Sequence, residues 1–322
     1  MNEILFSNQV IIYLLSESLL FVLLFIAFVV SIKIVIKWDF DIFSQKQFRL
    51  EKEAYLVSTI TIFLFIIKFI LLIYFVFTID SLSILIAGAM CGAGVVTANE
   101  YGTYLLLFKL IIIATLILWF YLNSYDTHTK NYLHMKKKSL LFIAIFISII
   151  FELFLDFQYF TNIDTHQPVS CCSTLFGQLE GANPLPFGLT IPLLLTLFYL
   201  LYFLTILTLK ANYRVLYVVS NLLFLYLAYY AVVYFFGTYI YQLPTHKCPF
   251  CMLQSDYFYI GYIIWGSLFL GTFIGISDAL SSIWTTRKYI KNSRLVISML
   301  TLFVVLSSIY VIIYYFRNGV WL

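Results

Sequence analysis

An all-α, polytopic bundle of about eight transmembrane helices is the fold this sequence predicts, and three observations predict it. Hydrophobic residues make up 63% of the 322-residue chain and charged residues only 11%, against about 25% charged in an ordinary soluble domain. Mean hydropathy is +0.98. The apolar residues gather into runs long enough to cross a hydrocarbon core about 30 Å thick, near 9–32, 55–79, 103–123, 139–158, 187–209, 214–236, 257–283 and 295–316. These runs use up most of the chain, so residues 1–322 read as a single integral membrane domain with short connections and the lipid bilayer as its surroundings.

Orientation follows from the basic residues. Of the nineteen Lys and Arg, all but Lys68, Lys109, Lys247 and Arg317 fall in or beside alternate connections. Lys33, Lys37, Lys46, Arg49 and Lys52 follow the first run, and Lys130 with Lys136, Lys137 and Lys138 follow the third. Lys210 and Arg214 follow the fifth, and Arg287, Lys288, Lys291 and Arg294 follow the seventh. The positive-inside rule assigns these to the cytoplasm, which places both termini outside and leaves three outward loops near 80–102, 159–186 and 237–256. The first run is followed, not preceded, by positive charge, so it is expected to be a retained helix and not a cleaved signal. The expected location is the bacterial inner (cytoplasmic) membrane. Topology accounts for the basic residues, so nucleic-acid binding has no support.

The first four runs carry Glu17, Lys68, Lys109 and Glu152 in apolar surroundings. An ionised side chain facing lipid is costly, so these should turn toward the bundle interior and pair. Two readings follow: ion pairs that fix helix register, or a proton path serving thiol chemistry, because oxidising a thiol moves protons with electrons.

All five cysteines lie in the outward loops, although Cys is by character a good core residue, and outside the cytoplasm is where disulfides persist. The first loop carries Cys91 next to Met90 among Gly88, Gly92, Gly94 and Gly102. Its small residues predict a tight, re-entrant turn with close backbone approach. Cys91 is then a third metal ligand, a resolving thiol or an inert packed residue. The second loop holds His166 and the adjacent pair Cys171 and Cys172. A disulfide between neighbours would be strained and therefore labile; otherwise each member reaches a different partner. In the third loop His246, Lys247, Cys248, Pro249, Phe250, Cys251 and Met252 follow one another. Cys-x-x-Cys suits either a redox disulfide or the capture of a soft metal ion. A helix starting near Met252 would aim its positive end at Cys251 and favour the thiolate. No second Cys-x-x-Cys completes a structural zinc site.

Cys248-Pro249-Phe250-Cys251-Met252-Leu253-Gln254, followed by Tyr257 and a Gly-containing apolar helix, resembles the quinone-proximal motif of the disulfide-bond-formation protein B family and, more distantly, the vitamin K epoxide reductase family. The resemblance covers about fifteen residues. It implies that Cys248 and Cys251 pass electrons to a membrane quinone, while Cys171 or Cys172, with Cys91, exchanges with a thioredoxin-like partner. The chain departs from that pattern in having about eight spans where the families have four or five. It also has Ser255 where the first family usually has a quinone-assisting Arg.

The function expected first is therefore a membrane thiol–disulfide oxidoreductase with Cys248, Cys251, Cys171, Cys172 and Cys91 as its working thiols. The alternative, from a different class, is binding, delivery or transport of Cu(I) or another thiophilic ion. Cys248, Cys251, Cys171, Cys172, Cys91, His246 and Met252 would be its ligands, with a metallochaperone as partner. The spans lack Cys and are poor in Met and His, which speaks against a ligand ladder through the membrane. A third reading is a structural subunit whose loops are stapled by disulfides.

Overall fold

The computed structural model describes residues 3–39, 44–127, 132, 134–169, 185, 188–285 and 292–322. Among these, every regular element is helical, and eight helices are long and apolar enough to cross a membrane: α1 (Asn8–Lys37), α2 (Gln45–Leu82), α3 (Tyr101–Asp126), α4 (Met135–Thr161), α5 (Ile191–Lys210), α6 (Arg214–Tyr241), α7 (Ile260–Trp284) and α8 (Ser293–Asn318). The protein is an integral membrane helix bundle. Helix ends carry local signals. The Ser7 and Ser44 hydroxyls accept from the backbone N–H of Val10 and Gln47, capping α1 and α2. Gly319, at φ 70°, closes α8 with its N–H on the Tyr315 carbonyl.

The chain partitions into two compact units, one formed by Met1–Leu85 with Val96–Thr165, the other by Ile86–Val95 with His166–Leu322. In the first, α1 packs between α2 and α4, and α3 packs on α4 and α2, the arrangement that short connections impose on antiparallel neighbours. The sequence writes this bundle as alternating steps of three and four. Tyr13, Glu17, Leu20, Leu24, Ala27, Ser31 and Ile34 are the buried line of α1, and Gly102, Leu105, Lys109, Ile112, Leu116, Trp119, Asn123 and Asp126 that of α3. Such spacing keeps one stripe of each helix against its neighbours. Glu17 and Lys109 sit on those stripes, and Lys68 and Glu152 are equally buried on α2 and α4.

In the second unit consecutive helices pack together, α5 beside α6, α6 beside α7 and α7 beside α8. Small residues allow the approach. A Cβ at Gly271 would stand 2.8 Å from Leu300 Cδ2, and one at Gly275 would collide with the Tyr217 hydroxyl. Asn221 joins α6 to α7 by donating to the Thr272 carbonyl at 3.2 Å. Within α6, Val232–Phe236 forms a π turn.

Two expectations need correction. Lys138, assigned by sequence to a basic connection, is buried on the first turns of α4, where its Nζ lies 2.9 Å from Asn123 Oδ1 and 3.6 Å from Asp126 Oδ2. The stripe of α4 begins one turn earlier than its apolar run. Similarly, no long helix starts at Met252. Cys251–Leu253 and Ser255–Tyr257 are separate 3₁₀ turns, and Phe258 and Tyr259, both at positive φ, turn the chain before α7 begins at Ile260.

The buried charges of the first unit are paired. Lys68 Nζ lies 2.7 Å from Glu17 Oε2 and 2.8 Å from Glu152 Oε2, and Lys109 Nζ lies 2.8 Å from Glu152 Oε1. Removing one member of a buried pair costs about 3–5 kcal/mol because the partner stays behind uncompensated. Lys68→Met should therefore lower the unfolding temperature in detergent clearly, and adding Glu17→Gln should recover part of the loss. A Lys68→Met protein as stable as the parent would show that the pairs do not hold the bundle.

Candidate functional site

Three thiols meet inside the second unit. Cys91 comes from the Ile86–Val95 segment, and Cys248 and Cys251 come from the connection between α6 and α7. All three are buried, and their sulfurs lie within 4.8 Å of one another. Cys91 Sγ stands 3.5 Å from Cys248 Sγ, a contact between thiols, since a covalent S–S bond is about 2.05 Å.

Local backbone chemistry places them. Gly88 takes φ 79°, and a Cβ there would lie 2.7 Å from the Val169 carbonyl oxygen. Alongside it the Val169 N–H donates to the Ala87 carbonyl at 2.9 Å, so only glycine admits this close pairing. The chain then turns through Cys91 into a short helix at Gly92–Val96, consistent with the tight turn expected from sequence. Gln254 Nε2 ties the third loop to this segment by donating to the Met90 carbonyl at 3.2 Å.

Around the Cys-x-x-Cys pair the backbone is held by two aromatic side chains. The Tyr241 hydroxyl donates to the Cys248 carbonyl and accepts from the Met252 N–H at 3.1 Å. Trp265 Nε1 donates to the Pro249 carbonyl at 3.0 Å, and the Phe250 N–H points at Cys248 Sγ at 3.4 Å. That last contact supplies a donor to Cys248, in place of the helix N-terminus expected at Cys251. Met252 is fully buried and wedged between two glycines. A Cβ at Gly261 would lie 2.5 Å from its Cγ, and one at Gly237 would lie 3.7 Å from its Cε.

Of the residues singled out by sequence, Cys91, Cys248 and Cys251 are brought together. Met252 is their packing neighbour, and His246 lies edge-on against Tyr241 with ring centroids 4.4 Å apart, outside the three-sulfur group. Cys171 and Cys172 lie outside the described residues. Glu17, Lys68, Lys109 and Glu152 belong to the first unit and form the ion-pair network described above, joined there by Tyr13 and Asp156. Sequence reasoning passed over both, though a signal existed: Tyr13 lies one helical turn before Glu17 and Asp156 one turn after Glu152, on the same faces. Tyr241 and Trp265 had no signal in the sequence, because their role depends on which backbone groups the loop presents to them.

Tyr257, half-buried beside the thiols with its ring 4.9 Å from that of Tyr241, has its hydroxyl pKa pushed upward. Burial is the largest cause, followed by negative charge at Cys251, Asp256 and Cys248.

Fold and site together define a polytopic α-helical membrane protein with a dry three-thiol cluster. Comparison of the chain with protein-family models, with curated proteins and with solved structures gave no match.

Two outcomes are expected here. Tyr241→Phe leaves a buried carbonyl and a buried N–H without their hydroxyl, a loss of about 1–3 kcal/mol, and should make Cys248 react faster with alkylating reagents; an unchanged rate would dismiss this role. A thiolate beside a phenol resists the second negative charge, so Cys251→Ser should bring the Tyr257 titration back toward its ordinary value, followed by NMR with labelled tyrosine. A titration that stays where it was would leave burial as the whole cause.

Proposed function

We propose that this protein is a thiol–disulfide oxidoreductase of the bacterial inner membrane, with Cys248 and Cys251 as its redox pair, Cys91 as the third thiol of the centre and the cysteine loops facing outward. The observation that carries this reading is the convergence of three buried sulfurs from two separate segments. Exchange needs a thiolate in line with a disulfide sulfur. Cys91 lies beside Cys248 and is positioned to attack it when Cys248 and Cys251 are joined. A Cys91–Cys248 bond forms, the Cys248–Cys251 bond breaks, and Cys251 leaves as a thiolate. Cys171 and Cys172 relay to a thioredoxin-like partner outside the membrane, whose dithiol becomes a disulfide as it gives up two electrons and two protons.

The acceptor implied by the motif is a membrane quinone, which when bound takes up two electrons and two protons as a quinol. Rings beside the loop suit a flat apolar acceptor: Trp265, hydrogen-bonded to Pro249, packs against Tyr229 and Phe269 at 5.8 and 5.9 Å between centroids, and Phe273 continues the row.

A second reading rests on the same convergence. A thiophilic ion about 2.3 Å from each of three sulfurs holds them about 4 Å apart, which needs the Cys91–Cys248 pair to open slightly from 3.5 Å within a group whose sulfurs all lie inside 4.8 Å. Loading would require the thiols to lose their protons. Cu(I) or a similar ion would be captured or delivered here, with a metallochaperone as partner.

The test is Cys251→Ser in the full-length protein. Thiol exchange with a thioredoxin-like protein should be abolished while membrane insertion is kept, and unchanged exchange would sink the oxidoreductase reading. If exchange is absent from the parent too, yet the parent binds one equivalent of Cu(I) that Cys91→Ser and Cys251→Ser each fail to hold, the metal reading replaces it.

A further inference from the structure

The buried charges of the first unit do not balance. Tyr13 and Glu17 from α1, Lys68 from α2, Lys109 from α3, and Glu152 and Asp156 from α4 all face one point, each at most 4% exposed. Tyr159 of α4, also buried, stands next to them beside Asp156. Three carboxylates against two ammonium groups leave one negative charge without a counter-charge. All of these side chains are buried, and an uncompensated ion inside a membrane-spanning bundle is strongly disfavoured.

The hydrogen-bond inventory is short by the same proton. Glu152 has two ammonium partners, Lys68 at 2.8 Å and Lys109 at 2.8 Å, and is the best-compensated carboxylate. Glu17 has Lys68, and Asp156 has Lys109 at 2.9 Å on Oδ2. Both acids also face the Tyr13 hydroxyl at 3.2 Å, Glu17 through Oε1 and Asp156 through Oδ1 and Oδ2 alike. A hydroxyl has one proton to donate, so with both acids ionised one of these two contacts would set lone pairs against each other. Tyr13 also accepts from Lys109 Nζ at 2.5 Å, which leaves its oxygen one further lone pair. A proton on either Asp156 Oδ1 or Glu17 Oε1 fills that place and completes the set.

We propose that the Glu17–Tyr13–Asp156 chain is a proton-binding site within the membrane-spanning bundle, holding one exchangeable proton beyond those of the two lysines. The proton sits on Asp156 while Tyr13 donates to Glu17. When Asp156 passes its proton to the Tyr13 oxygen, Tyr13 passes its own to Glu17, and the reverse step restores the start. No charge is created beyond the one that moves. Tyr13 lies five residues from the start of α1 and Asp156 five from the end of α4, about 7.5 Å along each helix. Of the two acids Asp156 is thus the nearer to a helix end, and Glu17, nine residues into α1, is the deeper one. The site stands on its own geometry, independently of the thiol chemistry.

Infrared difference spectroscopy of the full-length protein in lipid, recorded between neutral and alkaline pH, reads the proton directly. The expected result is a protonated-carboxyl C=O band at neutral pH that both Asp156→Asn and Glu17→Gln remove, since each variant balances the cluster without a bound proton. Neither variant should be less stable than the parent, in contrast to Lys68→Met. Tyr13→Phe should keep the band but move its frequency, because the acid loses its hydrogen-bond acceptor. A parent without such a band, or a band that survives in both amide variants, would overturn the proposal. Should neither amide variant reach the membrane, a band left unmoved by Tyr13→Phe would overturn it as well.

Discussion

An ammonium group buried inside a hydrocarbon-thick bundle is costly unless a carboxylate meets it, and the first four helices are arranged around that constraint. Lys68 and Lys109 each take two carboxylates, and those carboxylates come from α1 and α4, so the ion pairs join all four helices. Apolar packing cannot do this alone in lipid, because lipid tails are as apolar as the helix faces and give little preference for one register over another. The charges give that preference. A rotation of any helix that moved its polar residue off the inward stripe would expose it to hydrocarbon and strand its partner. The same geometry that fixes register sets the Tyr13 hydroxyl between two acids.

The second unit answers the same solvent with hydrogen bonds around its thiol centre. Backbone groups of the loop between α6 and α7 are taken up by Tyr241 and Trp265, and glycines at 237 and 261 leave space for Met252. The outcome is a loop that brings Cys248 and Cys251 to Cys91 with all three sulfurs out of water. Dry thiols pack quietly until a disulfide, a partner thiolate or a soft cation engages them.

Much of this was readable in the sequence because the bilayer imposes lengths and penalties that a single chain records. Eight apolar runs gave eight helices, and Glu17, Lys68, Lys109 and Glu152 within the first four were enough to foresee inward pairing. The Cys-x-x-Cys announced itself by spacing alone. What was not readable depended on meetings between distant segments. Cys91 and Cys248 are 157 positions apart, and no local pattern says which loop cysteine a given thiol will face. Asp156 was lost near the end of its apolar run, where an acid reads as an ordinary helix terminus, although its spacing from Glu152 puts it on the same face. The expected helix start at Met252 failed because Phe258 and Tyr259 adopt left-handed backbone, which nothing in an aromatic-rich stretch foretells.

The central claim, that Cys91, Cys248 and Cys251 form one working thiol centre, is tested most directly by differential alkylation of the protein in native membranes. Each cysteine is read by mass spectrometry before and after treatment with reductant or with a soft-metal chelator. Cys248 is expected in a disulfide with Cys251 or Cys91 that reductant opens and that quinone or oxygen closes again. Thiols that are reduced throughout and react at the same rate with or without the chelator would contradict the account. Thiols that are reduced but become reactive only with the chelator would replace redox exchange by metal capture at the same three sulfurs.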